Sequence, residues 1–287
     1  MRWFGRALLL ASLAVSTVTA ELSFVATVKQ DGKEVDASKL DFKPIPPIRH
    51  RRRGAHRGGR TGQAEQQPEA RDLISYSSNW CGASQHTSDK ADAIKNVSGY
   101  FQVPDLRLRP GNPPPQFAAA WIGIDGAECN TTLLQAGVTT VVNSNGGQSA
   151  SAWWEWYPEA AFSIDGLRVK PGEWIQVDIT ASSPTNAIVI ITNIDRGTSV
   201  TLHINNGPKL CRVDAEWIVE DFYESEKQVP FAKFNDVWFV NVGARTNSGK
   251  RIGVDGAAMV HLQDEKGRTL CSAERFDNNN FVAISHD

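Results

Sequence analysis

From about residue 73 onward the chain is a series of short apolar or alternating runs cut by Gly, Pro, Asn and Asp. No 3.6-residue apolar period is sustained long enough for an ordinary helix. Trp174-Ile175-Gln176-Val177-Asp178-Ile179-Thr180 alternates strictly, with Ile175, Val177 and Ile179 on one face. Ala187 to Ile191 is mostly β-branched, and Asn193-Ile194-Asp195-Arg196-Gly197 then reads as a turn. Val237 to Val242 and Ala257 to Leu262 continue the pattern. Short strands with turns at such intervals predict an all-β, antiparallel sandwich. Only Ala215 to Glu226 leaves a helix open, because Trp217, Val219 and Phe222 do not decide its period. With 287 residues, 41% of them hydrophobic, the chain can bury a large core.

The N-terminal quarter has a different character. Residues 1–20 carry Arg2 and Arg6, an apolar centre from Ala7 to Val15, and the small-residue end Val18-Thr19-Ala20, the three parts of a secretory signal. Residues 21–72 lack Trp and become Pro-rich, then basic (Arg49 to Arg60), then Gly- and Gln-rich. That composition buries little apolar surface, so a disordered propeptide with a protease-sensitive basic junction is expected there. Residues 1–72 hold 13 basic and 8 acidic residues, the remainder 17 and 24. The globular part, 73–287, is therefore acidic, which argues against nucleic acid as a partner and suits an acid medium. No further apolar segment reaches the ~20 residues of a membrane span.

A secreted chain meets oxidising conditions, so Cys81, Cys129, Cys211 and Cys271 are expected in two disulfides, with three connectivities open. None lies in a CxxC pair, so no metal is expected. Asn96-Val97-Ser98 and Asn130-Thr131-Thr132 are glycosylation acceptors. GxSxG, HExxH, P-loop and GxGxxG signatures are absent, and no His outside the N-terminal quarter has a distinctive context. Five segments stand out instead: Ser78-Asn79-Trp80, Ala120-Trp121-Ile122-Gly123-Ile124-Asp125-Gly126, Leu133-Leu134-Gln135-Ala136-Gly137, Trp154-Glu155-Trp156-Tyr157-Pro158, and Ile218-Val219-Glu220-Asp221-Phe222. In strands, alternation puts Trp121, Gly123 and Asp125 on one face, and likewise Trp153 with Glu155, Leu133 with Gln135, and Glu216 with Glu220.

These segments, in this order, resemble the fungal glutamic peptidases, the eqolisins, over residues 73–287. The resemblance implies a concanavalin-like, jelly-roll-like sandwich of two seven-stranded antiparallel sheets with a substrate cleft on one concave face. It implies a secreted acid endopeptidase without cofactor, acting as a monomer on proteins and peptides and held by its own propeptide. It assigns a catalytic dyad to Gln135 and Glu220 and puts Trp121, Asp125 and Glu155 near the substrate. Cys129 and Cys211 resemble a family disulfide, which leaves Cys81 to pair with Cys271.

The chemistry is coherent. A carboxylate can take a proton from water and return it to a leaving nitrogen, and a glutamate's reference pKa of ~4.3 suits acid medium. A glutamine offers both an N–H₂ donor and a carbonyl acceptor, so it can orient that water and stabilise an oxyanion. Two other classes compete. A carbohydrate-binding sandwich would stack sugars on Trp153 or Trp156, and a glycosidase would use Glu155 and Glu220 as paired carboxylates.

Overall fold

Between Trp174 and Ala181 the alternation of sequence becomes an alternation of burial: Ile175, Val177, Ile179 and Ala181 are fully buried and the residues between them are not. The computed structural model describes residues 21–45, 48–49, 73–89, 91–224 and 227–287, and is built almost wholly of such strands. The leader-like stretch 1–20 and the basic run beyond Arg49 lie outside the described residues.

The main strands in the first half are β1 (Ser23–Gln30), β2 (Trp80–His86), β3 (Ile94–Gln102), β4 (Gln116–Asp125), β5 (Leu133–Val142), β6 (Gln148–Tyr157) and β7 (Ala161–Ser163). Then come β8 (Trp174–Ala181), β9 (Ala187–Asn193), β10 (Thr198–Asn205), β11 (Asp214–Glu220), β12 (Val237–Thr246), β13 (Ala258–Gln263), β14 (Thr269–Asp277) and β15 (Asn280–Ser285). They form one hydrogen-bonded ribbon folded into two layers. The front layer runs β7-β6-β5-β4-β11-β2-β13, antiparallel throughout. The back layer runs β15-β12-β3-β8-β9-β10-β1, also antiparallel. β14 pairs with β13 on one side and β15 on the other, so the ladder turns from layer to layer without a break. Each layer thus has seven strands, the back layer's seventh, β1, coming from the N-terminal segment and not from residues 73–287, to which the resemblance applies. Leu73–Ser77 adds a parallel strand along β13.

The core lies between the layers. Ile122, Leu134, Trp154, Trp156 and Trp217 from the front form one cluster with Phe101, Val177, Val189, Leu202 and Phe239 from the back. The front strands β4, β5 and β11 are buried along nearly their whole length, on both faces. That explains why their sequences read as continuous apolar runs rather than alternation. The segment that left a helix open, Ala215 to Glu226, is instead the central strand β11 followed by the short strand Tyr223–Glu224. Its period is two, with Ala215, Trp217 and Val219 on the core side and Glu216, Ile218 and Glu220 opposite.

Residues 21–45 depart from the disorder that the composition of 21–72 suggests. β1 pairs with β10 over eight residues, and Leu22, Phe24, Ala26, Leu40 and Phe42 pack onto the main core. An edge strand needs few apolar residues of its own when its partner sheet is already formed.

Two disulfides tie the layers' periphery: Cys81 to Cys271, linking β2 and β14 across 190 residues of sequence, and Cys129 to Cys211, linking the loop after β4 to the approach to β11. Closing so long a loop constrains the unfolded chain strongly, so a Cys81→Ala/Cys271→Ala double variant should lose about 2–5 kcal/mol. Thermal unfolding followed by circular dichroism, against the unsubstituted protein, checks this; an unchanged midpoint would show that the buried seat of the disulfide carries no stability.

Candidate active site

The register of the front layer lines up its outward-facing side chains in rows. One row reads Glu155, Gln135, Gly123, Glu216, Ser84 across five adjacent strands. The next, two residues along, reads Trp153, Gly137, Trp121, Ile218, Gly82. A third carries Thr139, Ala119, Glu220 and Trp80. Gln135 and Glu220 therefore share a face but stand in different rows, with Trp121 in the row between.

Trp121 links the rows. Its indole N–H donates to Glu220 Oε2 at 2.8 Å, and its ring lies against Gly123, where a Cβ would come within 3.0 Å of Trp121 Cζ3 and 2.9 Å of Leu133 Cδ1. On the other side Gly137 makes room for the strand that carries the indole: a Cβ there would meet Ala120 O at 2.2 Å and Trp121 Cβ at 2.5 Å. The two glycines of the sequence signature are thus steric requirements. Glu220 Oε1 accepts from Asn79 Nδ2 at 3.0 Å and from Trp80 Nε1 at 3.1 Å. Trp80 in turn packs edge-on to Trp121 with centroids 5.2 Å apart. Gln135 Nε2 donates to Glu155 Oε2 at 2.6 Å, which fixes which end of the amide faces β6. Gln135, Glu155, Glu216 and Glu220 are all fully buried. Glu216 Oε1 accepts from Ser84 Oγ at 3.4 Å.

The remaining sequence-selected residues divide. Asp125, at positive φ (71°), turns out of its row, and its carboxylate accepts from the backbone N–H groups of Arg212, Val213 and Asp214. It clamps the loop that the Cys129–Cys211 disulfide also holds. Asn130 is exposed in a turn, whereas the Asn96 amide donates to Asp178, Ile179 and Thr180. Trp156 lies in the interlayer core, and Trp153 is buried with its N–H on Thr139, so neither offers a sugar-stacking platform. Sequence reasoning passed over Asn79 and Trp80 as holders of Glu220, and over Glu216 in the row of Gln135. The period-two match of Glu216 with Glu220 was the one available signal for the last.

A two-layer antiparallel sandwich whose front face carries three buried glutamates and a glutamine is also the architecture of known proteins. Residues 78–286 match the Peptidase A4 family, and the chain belongs to that family, the glutamic peptidases or eqolisins. It is 32% identical over 208 residues to aspergillopepsin-2 of Aspergillus niger, covering 66% of this chain and 72% of that protein. With scytalidopepsin B of Scytalidium lignicola it shares 31% identity over 222 residues, 75% and 80% of the two chains. The solved structure of scytalido-glutamic peptidase with a transition state analog inhibitor superimposes with a TM-score of 0.63 at 29% identity, over 73% of this chain and 98% of that one. Aspergilloglutamic peptidase from Aspergillus niger gives 0.55 at 33% identity, over 60% and 99%. The protein is a peptide hydrolase.

Beside the site the electrostatics favour acid. Asp221 follows Glu220 and is buried against a cavity of about 910 Å³ that Arg109 also lines. Burial, with the charge of Glu220, raises its pKa well above the usual range against the pull of Arg109. Burial likewise raises Asp125 from 3.8 to about 6, against the backbone N–H bonds it accepts. An acid with a raised folded pKa binds its proton more tightly when native, so stability falls as pH climbs from the unfolded value to the folded one. For Asp125 that window is 3.8 to about 6, worth at most roughly 3 kcal/mol, and Asp221 carries the loss higher. Carboxyls nearer the surface, such as the half-buried Asp92, held low by the backbone N–H of Ser248, act in the opposite sense but are screened by solvent. The unfolding midpoint of an inactive Glu220→Gln chain should therefore drop between about pH 4 and 6, and Asp125→Asn should flatten the drop. A midpoint that climbs over that interval would contradict the assignment.

Proposed function

We propose that this chain is a secreted acid endopeptidase made as a zymogen, in which Glu220 is the general base and Gln135 the oxyanion donor. The observation that carries the reading is the set of three N–H donors on Glu220, from Asn79, Trp80 and Trp121, at 2.8–3.1 Å. They fix a buried carboxylate as an acceptor on the face that carries Gln135. Glu155 plays a second part, orienting the Gln135 amide through one of its two N–H groups.

The steps follow from these roles. Glu220 takes a proton from water, and the water oxygen attacks the peptide carbonyl carbon. The carbonyl oxygen becomes an oxyanion and accepts an N–H from Gln135. Protonated Glu220 then delivers its proton to the nitrogen, the C–N bond breaks, and the carboxylate is restored. Trp121 acts here as a positioning residue for Glu220, and Asp125 for the loop before β11.

The zymogen reading rests on the N-terminal segment. Pro44–Ile45 pairs with β7 at the edge of the front layer, and Ile48–Arg49 pairs with Tyr223–Glu224 just after Glu220. Ile45 packs into the apolar cluster of the cleft with Tyr157 and Phe222. The basic run Arg49 to Arg60 follows directly on this contact in the sequence. Two disulfides suit an extracellular enzyme.

Hydrolysis of an unfolded protein substrate at acid pH tests the dyad. Glu220→Gln should abolish turnover, and Gln135→Ala should lower kcat by at least ~100-fold, each with an unchanged circular dichroism spectrum. Full activity in either folded variant would remove that residue from the mechanism.

A further inference from the structure

The N-terminal segment is attached in two unequal ways. Pro44–Ile45 and Ile48–Arg49 are held by two short ladders of two residue pairs each, one on β7 of the front layer and one on Tyr223–Glu224 of a small separate sheet. Residues 21–43, by contrast, are built into the sandwich. β1 completes the back layer, with Phe24 opposite Ile204, Ala26 opposite Leu202 and Val28 opposite Val200, all three partners buried. Phe24 sits at the centre of an aromatic cluster, with ring centroids 5.0 Å from Trp154, 5.1 Å from Phe42 and 5.4 Å from Phe162.

Further on, Asp41 and Asp165 exchange both backbone hydrogen bonds, Ser163 N donates to Lys43 O, and Lys43 Nζ reaches Asp165 at 2.7 Å. At the far end of β1, Asp31 N donates to Gly197 O and Gln30 Nε2 to Arg196 O. Removing 21–43 would leave the long edge of β10 unpaired and open the seat of Trp154, a fully buried core residue.

We infer that the edge of β10 and the Trp154–Phe162 seat form a permanent docking surface for residues 21–43. This segment stays on the enzyme as a separate, non-covalent chain after the basic run is cut. Maturation then withdraws only the part beyond residue 43 from the cleft, and the working enzyme is a body from about residue 73 plus an N-terminal strand peptide. The inference deepens the zymogen reading and rests on it only for the place where the chain is cut.

The test does not require peptidase activity. Full-length Glu220→Gln protein is nicked with limited trypsin, which cuts at the arginines of the run from Arg51 to Arg60, and the product is passed through a sizing column at acid pH. The fractions are read by mass spectrometry under native and denaturing conditions. The expected result is a peptide containing residues 21–43 that co-elutes one-to-one with the body and separates only on denaturation. A Phe24→Asp chain, nicked in the same way, should lose the peptide. Elution of the body without the peptide, degradation of the peptide by trypsin, or precipitation of the body with the peptide left in solution would each overturn the proposal. Retention in the nicked Glu220→Gln chain together with inactivity of the matured wild type would leave the docking surface standing and remove the peptidase reading alone.

Discussion

The contact on which the front of this molecule depends is one indole lying across a β-sheet. Trp121 fills a space two rows wide, and it can do so only because Gly123 and Gly137 have no Cβ to obstruct it or its strand. Its N–H then points at Glu220, its edge meets Trp80, and Trp80 points at the same carboxylate. Packing and hydrogen bonding are here the same interaction. Loss of either glycine would displace the ring and with it a donor to the buried acid.

The two layers meet different physical demands. The back layer follows the ordinary economy of a half-buried sheet in β8, with Ile175, Val177 and Ile179 inside and Gln176, Asp178 and Thr180 outside. The front layer is buried on both faces and nevertheless carries Gln135, Glu155, Glu216 and Glu220. Charge withdrawn from water is costly unless donors compensate it, and the N–H groups of Asn79, Trp80 and Trp121 supply that compensation at Glu220, that of Gln135 at Glu155. Raised pKa values at Asp125 and Asp221 make the fold itself favour acid, independently of the reaction.

Much of this was legible in the sequence because a strand has a period of exact parity. Alternation put Gln135 with Leu133, and Glu216 with Glu220, on the faces where the structure has them. Asp125 was misleading for a local reason: a left-handed residue at the end of β4 swings its carboxylate away from the row that parity assigns. The donors Asn79 and Trp80 could not be read, because their meeting with Glu220 depends on β2 pairing with β11 across some 140 residues of chain. Phe24, Ala26 and Val28 did alternate, but the composition of the surrounding 21–72 outweighed three residues whose partners lie far along the chain.

A sandwich of two separate sheets has four open edges, each a template for association with another chain. Here the ladder that passes through β14 removes two of them. Apart from the outer side of the parallel strand Leu73–Ser77, two remain among the described strands, and the one beyond β1 is closed by the three-residue strand Lys33-Glu34-Val35, short and charged. The one beyond β7 is closed by Pro44–Ile45, and a proline cannot extend a ladder. Both termini of the ribbon thus end in residues that discourage strand addition, so a newly synthesised chain emerges already protected against edge-to-edge aggregation, by the same N-terminal segment that crosses to its cleft.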